Sequence, residues 1–230
     1  MGRAKRAEDG GAVFHVLNRA NMRATLFETP EDYAAFERVL QEAVERTGMR
    51  VLAYCVMPNH WHLVVWPRQD GDLSKFMGWL TLTHTQRWHA SHGTVGTGHL
   101  YQGRFKSFPI QADEYFLTLC RYVERNALRA NLVALAEDWA YGSLYHRLHK
   151  TEFAQAVLSE WPVPYPRQWR SHVNQPQTES EVAAIRRSVN RGTPLGSPAW
   201  TERTVKQMGL EVTTRPRGRP KLVNGGGKGS

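Results

Sequence analysis

Two imidazoles stand one residue apart in His60-Trp61-His62, between the turn Met57-Pro58-Asn59 and an apolar run closed by Pro67. In a strand, residues i and i+2 point to the same face. Both rings can then converge on one metal ion while Trp61 faces the core. The alternative is a pair of polar residues on the open face of a half-buried sheet. Farther along, Tyr122 and Asn126 stand four residues apart, which on a helix places them on one face. Read alone, Tyr122 is a core aromatic and Asn126 a C-terminal cap. Read together with the histidines, the four residues describe a different chemistry. A divalent cation held by two imidazoles and an amide oxygen leaves positions for phosphate oxygens, and hard oxygen ligands suit Mg²⁺ or Mn²⁺. Such an ion polarises a scissile phosphate, and a neighbouring tyrosine hydroxyl can attack it covalently. A free phenol ionises near pH ~10, so it needs that positive field at neutral pH.

The elements that must position these residues are legible nearby. Residues 12–18 read as a strand. Thr29-Pro30-Glu31-Asp32 supplies an N-cap, a proline at the first helical position and first-turn acids, and Gly48 supplies a stop. Residues 50–57 and 60–66 form a hairpin about Pro58-Asn59. Residues 72–91 read as a helix with Asp72 as cap, followed by the glycine-rich loop SHGTVGTGH. Residues 104–110 read as an edge strand because of Pro109, and 112–126 as a helix with Asp113 near its start. A short helix follows around 143–150, and WPVPYP then breaks any helix. The order β-α-β-β-α-β-α predicts an α+β fold, a split-βαβ, ferredoxin-like arrangement with an antiparallel-rich sheet and helices on one side.

The chain has 230 residues and a net charge of +9. Ten basic and two acidic residues fall in 186–230, so almost all of the excess lies there and the rest is nearly neutral. That tail is rich in Gly and Pro and is expected to be largely irregular, with apolar clusters near Trp200 and Val205–Leu210 able to dock. A positive excess points to nucleic acid as partner. No run of about 18 apolar residues exists, which excludes a transmembrane helix. The basic N-terminus has no apolar stretch behind it, and two cysteines make no disulfide framework. The expected compartment is the cytoplasm, at the nucleoid. The expected division is a flexible 1–11, a folded domain over 12–150 that carries the histidine pair and Tyr122, a helical and proline-rich extension over 151–185, and the basic tail over 186–230.

MPNHWHLVV resembles the His-hydrophobic-His motif of the HUH endonucleases, and the single Tyr122 with Asn126 resembles their one-tyrosine branch. RYVERNALRANLV, DWAYGSLYH, FHVLNRANMRATLF and LYQGRFKSFPI fit the same pattern. Within that branch the sequence is most similar to the REP-associated tyrosine transposases, over roughly residues 12–150. The motif departs twice: Trp61 replaces an aliphatic residue, and Ala127 the usual proline.

The resemblance implies that the folded domain over 12–150 is a nuclease with the HUH palm, a central antiparallel sheet with flanking helices. It implies Mg²⁺ or Mn²⁺ on His60, His62 and Asn126. It also implies attack by Tyr122 on single-stranded DNA at REP hairpins, giving a 5′-phosphotyrosine and a free 3′-OH. REP-associated relatives look monomeric, whereas other members of the branch exchange domains in dimers. A noncatalytic DNA-binding protein that kept the palm is the rival reading, and a metal hydrolase without covalent catalysis a weaker one. Tyr101 and Tyr115 are rival nucleophiles, although Tyr115 has only Leu119 at i+4. Arg19, Arg23, Gln102, Arg104 and Lys106 are candidates to hold phosphates or read bases, and Trp88, Tyr101 and Phe105 to stack on them. His15 is expected to be structural. His84, His89, His92 and His99 could form a second metal site. In the tail, Arg215, Arg217 and Arg219 of RPRGRP could lie in an A·T minor groove, neutralise phosphates without sequence preference, or fold back on the active site.

Overall fold

The computed structural model describes residues 9–215. Four strands, β1 (Val13–Arg19), β2 (Arg50–Met57), β3 (His60–Trp66) and β4 (Lys106–Ile110), form one sheet in the order β2-β3-β1-β4, every pair antiparallel. This is the strand order of a split-βαβ fold. Helix α1 (Pro30–Thr47) begins at the expected cap. The Thr29 hydroxyl accepts from Asp32 N and the Asp32 carboxylate accepts from Thr29 N, a reciprocal capping box. It ends at Gly48, whose φ of +66° is the left-handed stop that glycine adopts without strain. Helix α2 (Asp72–Ser91) is capped by Gly71 rather than Asp72. Asp72 instead turns its carboxylate back to accept from Gln69 N, which leaves the cap position to a left-handed glycine.

The strands are buried almost throughout, so both faces of the sheet must be covered. Helices α1 and α2 cover one face, through Phe36, Leu40, Phe76 and Leu80 on Phe14, Val16, Trp61 and Leu63. Helix α3 (Glu114–Glu124) covers the other, through Phe116, Leu119, Cys120 and Val123 on Cys55, Val64 and Phe108. The expectation of helices on one side is therefore corrected to three layers.

The chain then continues through α4 (Asn126–Arg129), α5 (Ser143–His149), α6 (Glu152–Val157), α7 (Trp169–Asn174), α8 (Glu179–Arg191), α9 (Pro198–Met208) and α10 (Glu211–Thr214). The expected irregular tail is thus helical for much of 186–214. The sparse apolar residues here find partners: Leu195, with Ile185 just before the tail, joins the α3 face, and Val205 and Leu210 the α1 face. Leu195 also pairs with Ile110 along the outer edge of β4, giving its N–H to Pro109 O and its carbonyl to Gln111 N. Pro109 can only accept, so β4 is an edge strand as expected, and the chain's own C-terminal segment closes that edge. Among the described residues, no helix is long and apolar enough to cross a membrane. Arg217 and Arg219 lie outside the described residues.

Candidate active site

The site is assembled where β3 passes under α3. In register, Arg19 of β1 faces His60 and Leu17 faces His62, so one face of the sheet carries both imidazoles and the Arg19 guanidinium. Trp61 points the other way and is fully buried. The two histidine rings lie 5.0 Å apart, and the Tyr122 ring stands edge-on to His62 at 6.1 Å. Tyr122 is 7 % exposed.

Each imidazole is held by its Nδ1. His60 Nδ1 is 2.6 Å from Asn59 Oδ1, and His62 Nδ1 is 2.8 Å from His15 Nε2. A ligating histidine gives its second nitrogen to such a partner, which fixes ring and tautomer. If His62 donates to His15, the Nε2 atoms of both His60 and His62 are free to bind a cation, and His15 carries its proton on a buried Nδ1 that has no partner. His15 is thus structural in the sense that it orients His62. Burial holds all three rings neutral: His15 is lowered to about 3. His60 is lowered to about 4, first by burial and then by Arg19 and Arg129. His62 falls well below the ordinary histidine value by burial, with His15, His60 and both arginines adding to it.

Tyr122 and Asn126 do not share one unbroken helix. Arg125 ends α3 and Asn126 opens α4, yet Arg129 ties the pair together. Its guanidinium lies over the Tyr122 ring, Cζ 3.9 Å from the centroid, and donates to Asn126 Oδ1 at 2.6 Å and to Tyr122 O at 3.4 Å. A guanidinium only donates, so the Asn126 atom turned to it is the oxygen, and Asn126 Nδ2 is buried without a partner. The donor set is two neutral imidazoles and an amide oxygen already accepting from a cation. Among the described residues no three His, Cys, Asp or Glu side chains form a metal site. These donors fit a divalent ion, and they bring no negative charge to it.

Helix α3 is clamped from outside. Arg121 donates to Gln175 O and Pro176 O, Arg125 to Val173 O and Asn174 O. Buried Glu124 accepts from Ser143 Oγ at 2.5 Å and Trp169 Nε1 at 2.6 Å.

The other candidates separate. Arg23, Gln102, Arg104 and Lys106 are exposed and lie together, because Ala20 pairs with Tyr101, Gln102 N donates to Arg19 O and Leu17 faces Lys106. Tyr101 is not a nucleophile: its buried hydroxyl accepts from Trp61 Nε1 at 3.0 Å and meets His84 Nδ1 at 2.7 Å, and burial pushes its pKa up. Tyr115 lines a cavity with Arg187 and Val205 of the C-terminal helices. Trp88 packs, donating to Leu26 O and stacking on His92 at 4.0 Å, and Phe105 is buried. His89 meets Thr94 and His92 meets Asp32. Arg215 is exposed, its carbonyl accepting from Arg191. Sequence reasoning missed Arg129 and Arg186, which lies close enough to lower the Arg129 pKa. The signal for Arg129 was present, three residues past Asn126.

The family model of IS200-like transposases matches residues 11–126, and the chain belongs to that family. Among solved structures, it is similar to a REP-associated tyrosine transposase bound to a REP hairpin, with a TM-score of 0.54 and 15 % identity over 78 % of this chain and 100 % of that one. A protein described as a candidate transposase from Deinococcus radiodurans matches 54 % of this chain and 96 % of its own, with a TM-score of 0.39 and 16 % identity. No curated protein matches the chain.

Proposed function

We propose that this transposase cuts and rejoins single-stranded DNA beside a REP-type hairpin through a covalent 5′-phosphotyrosine on Tyr122. The observation that supports the reading is Tyr122 standing edge-on to His62 beside His60, with Arg129 lying over the Tyr122 ring and donating to Asn126, and with Arg19 and Arg129 both close enough to act on His60 and His62. His60, His62 and Asn126 would hold Mg²⁺ or Mn²⁺, which supplies charge neutralisation at the scissile phosphate. Tyr122 Oη forms the bond to phosphorus as the bond to the 3′-oxygen breaks. The phenol proton passes to solvent, and the departing oxygen is protonated to a free 3′-OH. Strand transfer is the reverse, a 3′-OH displacing the phenol. Arg129 keeps the Tyr122 ring in place, and its charge, with that of Arg19, attracts the phosphate. The reading takes the protein as a monomer, which its own Leu195 on the β4 edge supports, with a dimer as the alternative; light scattering separates the two.

The test is incubation with hairpin DNA carrying single-stranded flanks and Mn²⁺ or Mg²⁺, followed by denaturing electrophoresis. A protein–DNA adduct is expected, and Tyr122→Phe should reduce it to background. Cleavage surviving Tyr122→Phe would indicate hydrolysis without a covalent step. Binding with no adduct on any hairpin would favour a noncatalytic DNA-binding role.

A further inference from the structure

The turn that follows β1 carries the most exposed large apolar side chain among the described residues, Met22 at 90 %. Met22 and Arg23 both have positive φ, +52° and +60°, a conformation that side chains with a Cβ rarely adopt. The strained turn is nonetheless tied down at every step. Asn21 N donates to Leu100 O, Arg23 N to Ala20 O and Ala24 N to Asn21 O, while Asn21 Oδ1 accepts from Met22 N. A loop with no task would relax into an unstrained turn, and one that only packed would bury its methionine. Strain held in place by the surrounding structure marks a segment with a job.

Its surroundings identify the occupant. The turn stands at the rim of a cleft of about 700 Å³ between α2 and residues 98–105, lined among others by Asn21, Gly78, Leu82, Gln102 and Arg104. Arg23, Arg104 and Lys106 are exposed and form no ion pair among the described residues. Arg19, at the start of the same turn, has a buried Nε without a partner and faces His60 across the strands. A strip of unneutralised cations therefore runs from the site's histidines to the cleft, with an apolar tip standing in it. Charge complementarity selects a polyanion, and an apolar tip among phosphate-binding cations selects bases as what it touches.

We propose that the Asn21–Arg23 turn is a wedge: Met22 stacks on the last base pair at the foot of a DNA hairpin and turns the first unpaired nucleotide into the cleft over Gly78. The cleft has room for a nucleotide, and Arg19 and Arg104 hold the backbone on either side of the break. This rests on the proposed action on hairpin DNA and adds the place where duplex gives way to single strand.

Two variants test it without threatening the fold. Met22→Gly removes the tip and relieves the positive φ. Gly78→Leu fills the cleft, where a Cβ at residue 78 would meet nothing within 4 Å. The probe is a hairpin with a short 5′ single-stranded extension and 2-aminopurine as its first unpaired base, bound in Ca²⁺. A control carries the label in mid-stem. The wild type should change the fluorescence at the foot and leave the mid-stem label silent. Both variants should unfold at no lower temperature than the wild type, lose most of that change and bind about tenfold more weakly, as for loss of one stacked base. An unchanged foot signal in both variants overturns the wedge. So does a silent foot label with a wild type that still forms the tyrosine adduct, in which case the reading of function stands. A wild type that neither binds nor forms an adduct removes the reading and the wedge with it.

Discussion

His84 is 2 % exposed in α2, its Nδ1 lies 2.7 Å from the Tyr101 hydroxyl, and burial lowers its pKa to about 3. In the unfolded chain it titrates near ~6.5, so below that pH the unfolded state binds a proton that the folded state refuses. Stability from this group is complete above pH ~6.5 and falls as the pH drops, by about 2 kcal/mol at pH 5. His84→Gln cannot titrate. The stability difference between wild type and variant, from urea melts at pH 7 and pH 5, should shrink by about that amount. The active site poses a different question at the same scale. Its donors are neutral, and the charges that act on His60 and His62 come from Arg19 and Arg129. A divalent ion should therefore bind the free protein weakly and at least about tenfold more tightly once a phosphate supplies negative charge, a coupling of ordinary size. Mn²⁺ titrations with and without bound hairpin DNA to the Tyr122→Phe protein measure it, and equal affinities would mean that DNA supplies no ligand. The shared face of His60 and His62 was legible because the strand period turns spacing into direction, whereas Tyr122 and Asn126, read as one helix face, stand on either side of the break at Arg125. His15, Arg129 and Met22 were not legible, because His15 acts across strands, Arg129 by folding back, and Met22 through a backbone angle no pattern reports.

Among elements, the strands and the first three helices follow from local signals: the Thr29 box, the Pro58-Asn59 turn and Pro109 on its edge. The cover formed by α7 to α9 did not, because its apolar residues are few and sit in a polar, basic stretch. Ile185 and Leu195 bury only against strands and a helix distant in sequence, and no local period shows that. The docking of this cover passes through Gly196, where an added Cβ would collide with the Trp200 ring and approach Gln111 Oε1 to 2.8 Å. Gly196→Ala should cost about 1–3 kcal/mol as an overpacked contact. Hydrogen exchange should show 193–197 opening first while α1 and α2 keep their protection, because most of their contacts are with each other and with the sheet face opposite α3.

For the whole molecule, the charge is divided more finely than a basic tail on a neutral body. Residues 186–214 are built into the structure, so removing them would uncover the β4 edge that Leu195 closes. The remaining cations at Arg217, Arg219, Lys221 and Lys228 can be tested alone. Deleting residues 216–230 removes these four while keeping residues 186–214. The deletion should make the plot of log affinity against log salt shallower by about 0.7–0.9 for each of the four that meets a phosphate. An unchanged slope would show that they do not. The clamp on α3 also has a consequence in time. Arg121 and Arg125 anchor the Tyr122 helix to carbonyls at 173–176, and Leu195 seals the sheet edge later still. A ribosome makes these segments well after α3, at about 5–20 residues per second. A nascent chain thus carries Tyr122 on an unpinned helix until residues 173–176 have emerged, and a product cut short before them would hold His60, His62, Tyr122 and Asn126 without the clamp that fixes their relative positions.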